Sequence, residues 1–249
     1  MHMKATARAH PIQGLVKYHG MRDPELRFPY HDSISVCTAP TNTTTTVQWL
    51  DDVDAEGGDQ DTYLIDGEEV EGRAAERIAM VVDHVRDLAG FDHAVRFESE
   101  NSFPSNIGFG SSSSGFAAAA LALVEAAGLD MSLPEVSTVA RRGSSSAARA
   151  VTGAFSHLYA GLNDEDCRSY RLDSDLEDDL KIVAAHVPSY KETEEAHKEA
   201  AESHMFQARV AHIPDQIVEM RDALREASFE RVFELAEHDS LSLTAATMT

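Results

Sequence analysis

The sequence predicts an α+β protein, because β-branched runs fill much of its first third and helical periodicity fills most of its last third. The strand pattern is clearest at His31–Thr38 and Thr43–Leu50. Asp66-Gly67 stands between two short apolar pieces and predicts a hairpin over Tyr63–Val70. Strands and helices then alternate after Gly72, which is typical of a mixed fold.

Turn and cap residues separate the predicted helices. The first helix follows Gly72 and ends at Gly90. A short strand at Val95–Glu98 precedes an alanine-rich helix from about Ser112 to Ala127, and Ser132-Leu133-Pro134-Glu135 is a capping box for a helix to about Arg142. The remaining predictions are a short helix after the next serine run, strands at Gly153–Gly161 and Lys181–Val187, and helices at Glu192–Ala211, from Pro214 onward, and at Phe229–Ala236.

A change of composition suggests where the chain divides. Asn163–Asp179 is acidic and rich in turn residues. We therefore expect an amino-terminal lobe over residues 1–178 and a carboxy-terminal lobe over residues 179–249.

The charge balance excludes one class of partner. The chain has 43 acidic residues against 21 basic ones, a net charge of −22, and its basic residues are 16 Arg and 5 Lys. Such a surface repels phosphate backbones and argues against nucleic-acid binding. Because the acidic residues are spread from Asp51-Asp52 to Glu237, we expect a halophilic protein that works in concentrated salt.

Other features argue against a membrane protein and against a metal centre. No apolar run approaches the roughly 18 residues that a membrane span needs, and no signal peptide opens the chain. Cys37 and Cys167 match no disulfide or metal spacing, so we expect a cytoplasmic protein with buried thiols. His197, His204 and His212 predict a solvated helix face in preference to a ligand set. The oligomeric state is open, and a homodimer is compatible with the sequence.

The stretch Pro104–Gly115, PSNIGFGSSSSG, predicts an anion site. A glycine-rich turn that enters a helix presents unbonded N–H groups and the positive end of the helix dipole, and the serine hydroxyls add donors. The spacing does not fit a P-loop, because Phe116 stands where the lysine belongs, nor a dinucleotide fingerprint or a nucleophile elbow. A flexible linker is disfavoured, since hydrophobic periodicity resumes after Gly115.

A second serine cluster lies at Gly143–Arg149, GSSSAAR. Arg149 would project from a short helix about one turn beyond Ser144 and Ser146, where it could bind a carboxylate or a phosphate. A surface salt bridge is the alternative. On an acidic chain, an enzyme with an anionic substrate has to keep its few positive charges in its site, which favours binding.

Three motifs in order resemble the diphosphomevalonate decarboxylases of the GHMP kinase superfamily. The first is Lys17-Tyr18-His19-Gly20-Met21-Arg22-Asp23 with Asp32-Ser33-Ile34-Ser35-Val36. The second runs from Asn101-Ser102-Phe103-Pro104 to Gly115-Phe116-Ala117-Ala118 and resembles the family's ATP loop, and the third is the serine/arginine segment from Ala140 to Arg149. Weaker similarity reaches Asp239–Leu243, so the resemblance covers nearly the whole chain.

This resemblance implies a ribosomal-S5-like amino-terminal lobe, a ferredoxin-like carboxy-terminal lobe and an ATP-dependent decarboxylation. ATP phosphorylates the 3-hydroxyl of a mevalonate phosphate, the new phosphate and carbon dioxide leave, and an isopentenyl phosphate remains. Lys17 and Arg149 would be catalytic, with Arg149 on the substrate carboxylate and Tyr18, Ser144 and Ser146 toward the substrate phosphate. ATP with Mg²⁺ would be the cofactor, although no Mg²⁺ ligand can be named. The implied nucleotide-binding residues are Gly108, Gly110, Ser111 and Ser112.

Two departures from the family pattern concern the substrate. Met21 replaces the family's second lysine and His19 its tryptophan, and no arginine is evident in Pro188–Lys191, where the family has one. Both missing cations would contact a diphosphate, although Lys191 could replace one of them. We therefore expect a phosphomevalonate decarboxylase of the haloarchaeal type. A diphosphomevalonate decarboxylase, a mevalonate-type 3-kinase and a non-catalytic nucleotide-binding protein are the alternatives.

A third departure concerns the carboxy terminus. Family members run further and carry a catalytic aspartate in a motif that has no match here. We expect an incomplete carboxy-terminal lobe, because an apolar, threonine-rich stretch stops abruptly; the alternative is a base elsewhere, such as Asp23.

Overall fold

The computed structural model describes residues 3–50, 60–104, 108–185 and 193–248. These residues form two larger sheets, one short hairpin and seven helices. The strands are β1 (Lys4–Ala9), β2 (Ile12–Val16), β3 (Met21–Asp23), β4 (Phe28–Pro29), β5 (Ser33–Cys37), β6 (Thr43–Leu50), β7 (Thr62–Ile65), β8 (Glu68–Glu69), β9 (Ala94–Asn101), β10 (Phe155–Leu158) and β11 (Ser169–Leu172). The helices are α1 (Gly72–Ala89), α2 (Ser111–Ala127), α3 (Leu133–Gly143), α4 (Ser145–Thr152), α5 (Thr193–Glu202), α6 (Phe206–Arg225) and α7 (Phe229–Thr247).

The first sheet has the strand order β1-β6-β9-β7-β8 and is antiparallel except for the parallel pair β7 and β9. Its strand β6 alternates strictly between buried and half-buried residues, so one face packs inward. The alanine-rich helix α2 packs against β1 and β6. Alanine side chains are small, and the helix therefore approaches closely enough for the Trp49 indole N–H to reach the Leu123 carbonyl at 3.4 Å.

The second sheet has the order β11-β10-β5-β2 and is antiparallel throughout. Helices α6 and α7 cover it. The second core joins apolar residues of the sheet to those of the two helices, among them Leu15, Val16, Ile34, Phe155, Ile213, Met220, Leu224 and Val232. Strand β2 also contacts α4 and α7, so the residues just after β2 lie where the two halves of the structure meet.

Most predictions for the first 160 residues are confirmed. Gly90 and Gly128 end α1 and α2 in the left-handed conformation, with φ of 70° at both. The capping box of Ser132 and Glu135 opens α3. The β7–β8 turn has Asp66 at φ 53° and Gly67 at φ 83°, as a type I′ hairpin requires. Strands β1 and β2 were not predicted individually.

Several predictions for the carboxy-terminal third are wrong. The sequence predicts a strand at Lys181–Val187, but residues 181–185 are exposed and pair with no described strand, and residues 186–187 lie outside the described residues. The helix predicted over Glu192–Ala211 breaks after Glu202, where the Ser203 hydroxyl accepts the Met205 N–H at 3.2 Å and turns the chain into α6. The last helix continues to Thr247, well beyond Ala236.

Pro214 lies inside α6 and does not open a helix. Proline lacks an N–H and removes one backbone hydrogen bond from the helix interior. The flanking Ile213 and Ile217 are 1% and 6% exposed in the second core, and their burial keeps the helix continuous.

The lobe boundary at 178–179 stays a prediction. The second core contains Leu176, which precedes this boundary, as well as residues of α6 and α7.

Candidate active site

The glycine-rich turn enters α2 as the spacing predicts. Gly108 and Gly110 have φ of 78° and 85°, a conformation that side chains rarely adopt. Gly110 also packs closely, since a Cβ there would lie 3.0 Å from the Ser113 Oγ and 3.3 Å from the Ile12 carbonyl. The first turn of α2 contains no acidic residue, so its N-terminal dipole is not neutralised from within the helix. Residues 105–107 of this loop lie outside the described residues.

The four serines of this turn divide into two pairs. The Ser113 hydroxyl donates to the Gly110 carbonyl at 2.6 Å and accepts the Ile12 N–H at 3.2 Å, and the Ser114 hydroxyl bonds to that of Thr43 at 2.6 Å. This inner pair anchors α2 on the sheets. Ser111 is half-buried and Ser112 is exposed, so the outer pair lies where a bound anion could be reached.

The second serine cluster forms the junction of α3 and α4. Ser144 follows α3 and precedes α4, and its hydroxyl lies 2.9 Å from that of Ser146. Gly143 lets this junction pack against α2, because a Cβ at this position would lie 2.1 Å from the Phe116 ring. The two predicted hydroxyls are therefore adjacent, held by close packing of α2 on α3.

Arg149 projects from α4 into the interior and is 2% exposed. One end of its guanidinium donates to the Ser33 hydroxyl, and the guanidinium carbon lies 5.2 Å from the centre of the Tyr18 ring. Its Nε has no hydrogen-bond partner among the described residues. Burial lowers the pKa of Arg149 to about 10. A buried guanidinium without a carboxylate partner is unfavourable and would be neutralised by a bound anion.

Lys17 follows β2, and two residues of the carboxy-terminal helices hold its backbone. Its N–H donates to Asp239 Oδ2 at 2.8 Å, and Arg209 Nη2 donates to its carbonyl at 2.6 Å. Arg209 and Asp239 also pair with each other at 2.7 Å, and each side chain is 2% exposed. Sequence reasoning missed both residues as part of the site, because their relation to Lys17 spans more than 190 positions.

The Lys17 side chain reaches solvent, but the surrounding protein still affects its charge. Desolvation lowers the pKa of its ammonium, the positive charge of Arg149 lowers it further, and Asp239 opposes both effects. Lys17 is the chain neighbour of Tyr18, whose ring lies 5.2 Å from the guanidinium carbon of Arg149, so the two predicted catalytic residues belong to the same part of the structure.

Tyr18 is 5% exposed and lies between Arg149 and the helix α5. Its ring stacks on that of His197 with centroids 5.5 Å apart and an interplanar angle of 3°.

The Gly20 N–H donates to His197 Nδ1 at 3.2 Å, which requires an unprotonated nitrogen. Burial, with the charges of Lys17 and Arg27, lowers the pKa of His197 to about 4. His197 is therefore uncharged and packs against Tyr18, so the prediction of a solvated position is wrong for this residue. His204 and His212 are exposed, as predicted.

The comparisons with known proteins agree with this arrangement. Residues 9–169 match the family described as diphosphomevalonate decarboxylase-like N-terminal domain. The chain belongs to this family. It is 75% identical to the phosphomevalonate decarboxylase of Haloferax volcanii, over 99% of this chain and 75% of that protein. It is 29% identical to the diphosphomevalonate decarboxylase of Schizosaccharomyces pombe, over 91% of this chain and 62% of that one.

Solved structures of decarboxylases share the fold. The mevalonate diphosphate decarboxylase of Staphylococcus aureus matches with a TM-score of 0.87 and 31% identity, over 99% of this chain and 74% of that one. The structure of MDDEF in complex with MVAPP, AMPPCP and magnesium has a TM-score of 0.87 and 26% identity, over 99% of this chain and 75% of that one. The GHMP-type α+β fold implied by the sequence is thereby confirmed.

Of the two positions discussed for the substrate phosphate, only Met21 has a defined place in the structure. Met21 begins β3, and its sulfur lies 3.7 Å from the Ser145 hydroxyl, next to the serine junction. Pro188–Lys191 lies outside the described residues. Asp23, the alternative base, accepts the N–H groups of Glu25 and Leu26 at 3.0 and 2.8 Å and so caps a turn.

No cluster of three His, Cys, Asp or Glu side chains suited to a metal ion occurs among the described residues. The same residues contain no helix long and apolar enough to cross a membrane. Cys37 is half-buried, Cys167 is buried, and both are free thiols, in line with the absence of a disulfide framework in the sequence.

Proposed function

We propose that this member of the decarboxylase family converts 5-phosphomevalonate and ATP into isopentenyl phosphate, carbon dioxide, ADP and phosphate. The observation that carries the proposal is the buried Arg149, whose Nε has no described partner and whose guanidinium carbon lies 5.2 Å from the ring of Tyr18, the chain neighbour of Lys17. A substrate carboxylate supplies the negative charge that this guanidinium lacks. Binding that carboxylate on an arginine orients it for loss as carbon dioxide.

In the proposed reaction, the 3-hydroxyl oxygen attacks the terminal phosphorus of ATP. The bond from that phosphorus to the bridging oxygen breaks, ADP leaves with the electron pair, and the hydroxyl proton passes to water. The C3–O bond then breaks and phosphate leaves with the electron pair. The bond between the carboxylate carbon and C2 breaks next, and its electrons form the new double bond between C2 and C3. Lys17 places positive charge near the transferred phosphoryl group, and its backbone is held on both sides by Arg209 and Asp239.

The α2 turn fits the nucleotide phosphates. Gly108 and Gly110 let the backbone curve into the helix, and Ser111 and Ser112 are the serines that the packing leaves at the surface. Unbonded N–H groups at the start of α2 would add donors to the phosphate oxygens. Mg²⁺ would accompany ATP and offset the charge of its phosphates. The MDDEF complex likewise contains AMPPCP and magnesium, together with MVAPP.

The monophosphate is favoured over the diphosphate on two grounds. Met21 puts a thioether where the family pattern has a lysine, and a thioether cannot neutralise a second phosphate. The relative with 75% identity is named as a phosphomevalonate decarboxylase, whereas the relative with 29% identity is named as a diphosphomevalonate decarboxylase.

Carbon dioxide release tests the proposed function. The purified protein in concentrated potassium chloride is assayed with ATP and either 5-phosphomevalonate or 5-diphosphomevalonate. We expect a higher kcat/KM for the monophosphate. A clear preference for the diphosphate would contradict the substrate assignment, and ADP formation without carbon dioxide would indicate a 3-kinase. ATP binding without phosphoryl transfer would indicate a non-catalytic protein.

The roles of Lys17 and Arg149 are tested by Lys17→Met and Arg149→Ala in the same assay. Each is expected to lower kcat/KM at least tenfold, which corresponds to about 1.4 kcal/mol of transition-state stabilisation. Arg225→Met is a matched control, because Arg225 is an exposed residue paired with Asp222 on α6. If kcat/KM were unchanged in Lys17→Met and Arg149→Ala, the roles of Lys17 and Arg149 would be structural and not catalytic.

A further inference from the structure

A second positive site lies at the serine junction, apart from Arg149. Arg27 Nε donates to the carbonyl of Arg142 at 3.0 Å. Arg77 donates to the next carbonyl, that of Gly143, from Nη2 at 2.6 Å and from Nε at 3.2 Å. Two guanidiniums from separate parts of the chain are therefore anchored on consecutive carbonyls, directly before Ser144.

The backbone around Arg27 is arranged to place this side chain. Arg27 lies between β3 and β4 and has a φ of 56°, in the left-handed region that residues with a Cβ rarely adopt. Its carbonyl accepts the Ser145 hydroxyl at 2.6 Å, which fixes the hairpin against the start of α4. Backbone strain of this kind persists where surrounding contacts hold it and is often found at functional sites.

The guanidiniums of Arg27 and Arg77 lie near each other because they are bound to consecutive carbonyls. Burial, followed by the charges of Arg27 and Arg73, lowers the pKa of Arg77 to about 10. Burial also lowers the pKa of Arg27. A ligand with two negative charges would be attracted to this pair of guanidiniums.

Tyr18 connects this positive site with the one at Arg149. The charges of Arg149 and Arg27 both act to lower the pKa of its phenol, although burial raises the pKa overall. The Tyr18 ring lies 5.2 Å from the guanidinium carbon of Arg149, and the charge of Arg27 also acts on its phenol. A molecule with a carboxylate at one end and a phosphate at the other matches this pair of sites, with Ser144 and Ser146 as additional donors at the phosphate end.

We propose that Arg27 binds the phosphate monoester of the substrate and supplies the positive charge that Met21 does not. The inference rests on the proposed function and adds a specificity-determining residue to it. A guanidinium can donate two parallel hydrogen bonds to phosphate oxygens, and this geometry suits one terminal phosphate. The Met21 sulfur contacts the Ser145 hydroxyl, and that hydroxyl donates to the Arg27 carbonyl, so the two positions belong to the same part of the site.

The test separates substrate binding from the rest of catalysis. In Arg27→Met we expect the KM for 5-phosphomevalonate to rise at least tenfold, with the KM for ATP changed less than twofold. Arg27→Lys keeps the positive charge but loses the paired donors, so it should raise the KM for 5-phosphomevalonate less than Arg27→Met does. Met21→Lys in the Arg27→Met background should recover part of the lost affinity. Calorimetric titration with 5-phosphomevalonate and with unphosphorylated mevalonate should show that the loss is confined to the phosphorylated ligand.

Controls keep this inference distinct from the proposed function. Arg225→Met should leave both KM values unchanged, and thermal unfolding of each variant shows whether it folds. Met21→Lys alone gives a second measurement if Arg27→Met is unstable; tighter binding of 5-phosphomevalonate is expected, and no change would count against a phosphate at this position. An unchanged KM in Arg27→Met, or an equal rise in the KM for ATP, would overturn the inference. Failure of the unmutated protein to release carbon dioxide would instead overturn the proposed function.

Discussion

At the scale of a single residue, burial of His31 makes the stability of the protein depend on pH. It is 6% exposed, and its Nδ1 lies 2.7 Å from the Asp32 carbonyl. Burial lowers the pKa of His31 to about 4, and the charges of Arg209 and Arg149 act in the same direction, against a backbone hydrogen bond with Asp32 that raises it. His31 is therefore neutral in the folded protein at neutral pH.

This lowered pKa predicts loss of stability in acid. Between pH 6.5 and pH 4 the unfolded chain binds a proton at His31 that the folded protein does not, so the free energy of unfolding falls as the pH falls. The full effect is roughly 3 kcal/mol for a shift of this size. In His31→Gln the free energy of unfolding, measured in urea across this range, should depend less steeply on pH. An unchanged slope would show that His31 does not contribute.

At the scale of elements, Gly143 decides how closely α2 and α3 pack. In Gly143→Ala the new Cβ would meet the Phe116 ring at 2.1 Å, and the helices would have to separate. We expect a loss of about 1–3 kcal/mol in the free energy of unfolding, as is usual for overpacking. Gly115→Ala is the matched control, because nothing lies within 4 Å of a Cβ there and Gly115 is inside α2. That change should stabilise the protein by up to about 1 kcal/mol. Equal effects of the two substitutions on denaturant unfolding would contradict this account.

Helices α6 and α7 position Lys17 through the buried pair of Arg209 and Asp239. Asp239→Asn leaves Arg209 without its carboxylate, and we expect a loss of about 3 kcal/mol in stability because a buried charge then lacks its partner. It should also lower kcat at least tenfold, since Asp239 binds the Lys17 N–H. Asp222→Asn, which breaks an exposed pair with Arg225, is the control and should change stability by less than about 1 kcal/mol. A destabilised variant with full kcat would show that the pair does not position Lys17.

At the scale of the whole molecule, the net charge of −22 predicts a requirement for salt. Self-repulsion among the acidic residues opposes the compact state, and in 1 M salt the screening length falls to about 3 Å. The unfolding temperature should therefore rise as potassium chloride increases from 0.1 to about 3 M. Sucrose at matched osmolality, which does not screen charge, should have a smaller effect. Stability that survives desalting would contradict the prediction.

Local rules predicted the elements whose signals are local. Gly90, Gly128 and the capping box at Ser132 act through their own neighbours, and the structure confirms all three boundaries. The strand predicted at Lys181–Val187 needed a partner strand, and no described strand pairs with residues 181–185. The helix start predicted at Pro214 is overridden by burial of the flanking isoleucines, which keeps α6 continuous. These two predictions failed because packing, not local propensity, determines the outcome there.

The sequence by itself determined the mixed fold, the glycine-rich turn that enters α2 and the resemblance to the decarboxylase family, because each depends on residue types at short spacing. Only the tertiary structure showed that Arg149 lies against the ring of Tyr18, next to Lys17 in the chain. It also showed that Arg209 and Asp239 hold the Lys17 backbone, and that Arg27 and Arg77 bind consecutive carbonyls at the serine junction. These groups are brought together because β2 contacts both α4 and α7, and because the loop between β3 and β4 is hydrogen-bonded to the start of α4. The resulting contacts span as many as 222 positions along the chain, beyond the reach of any local pattern.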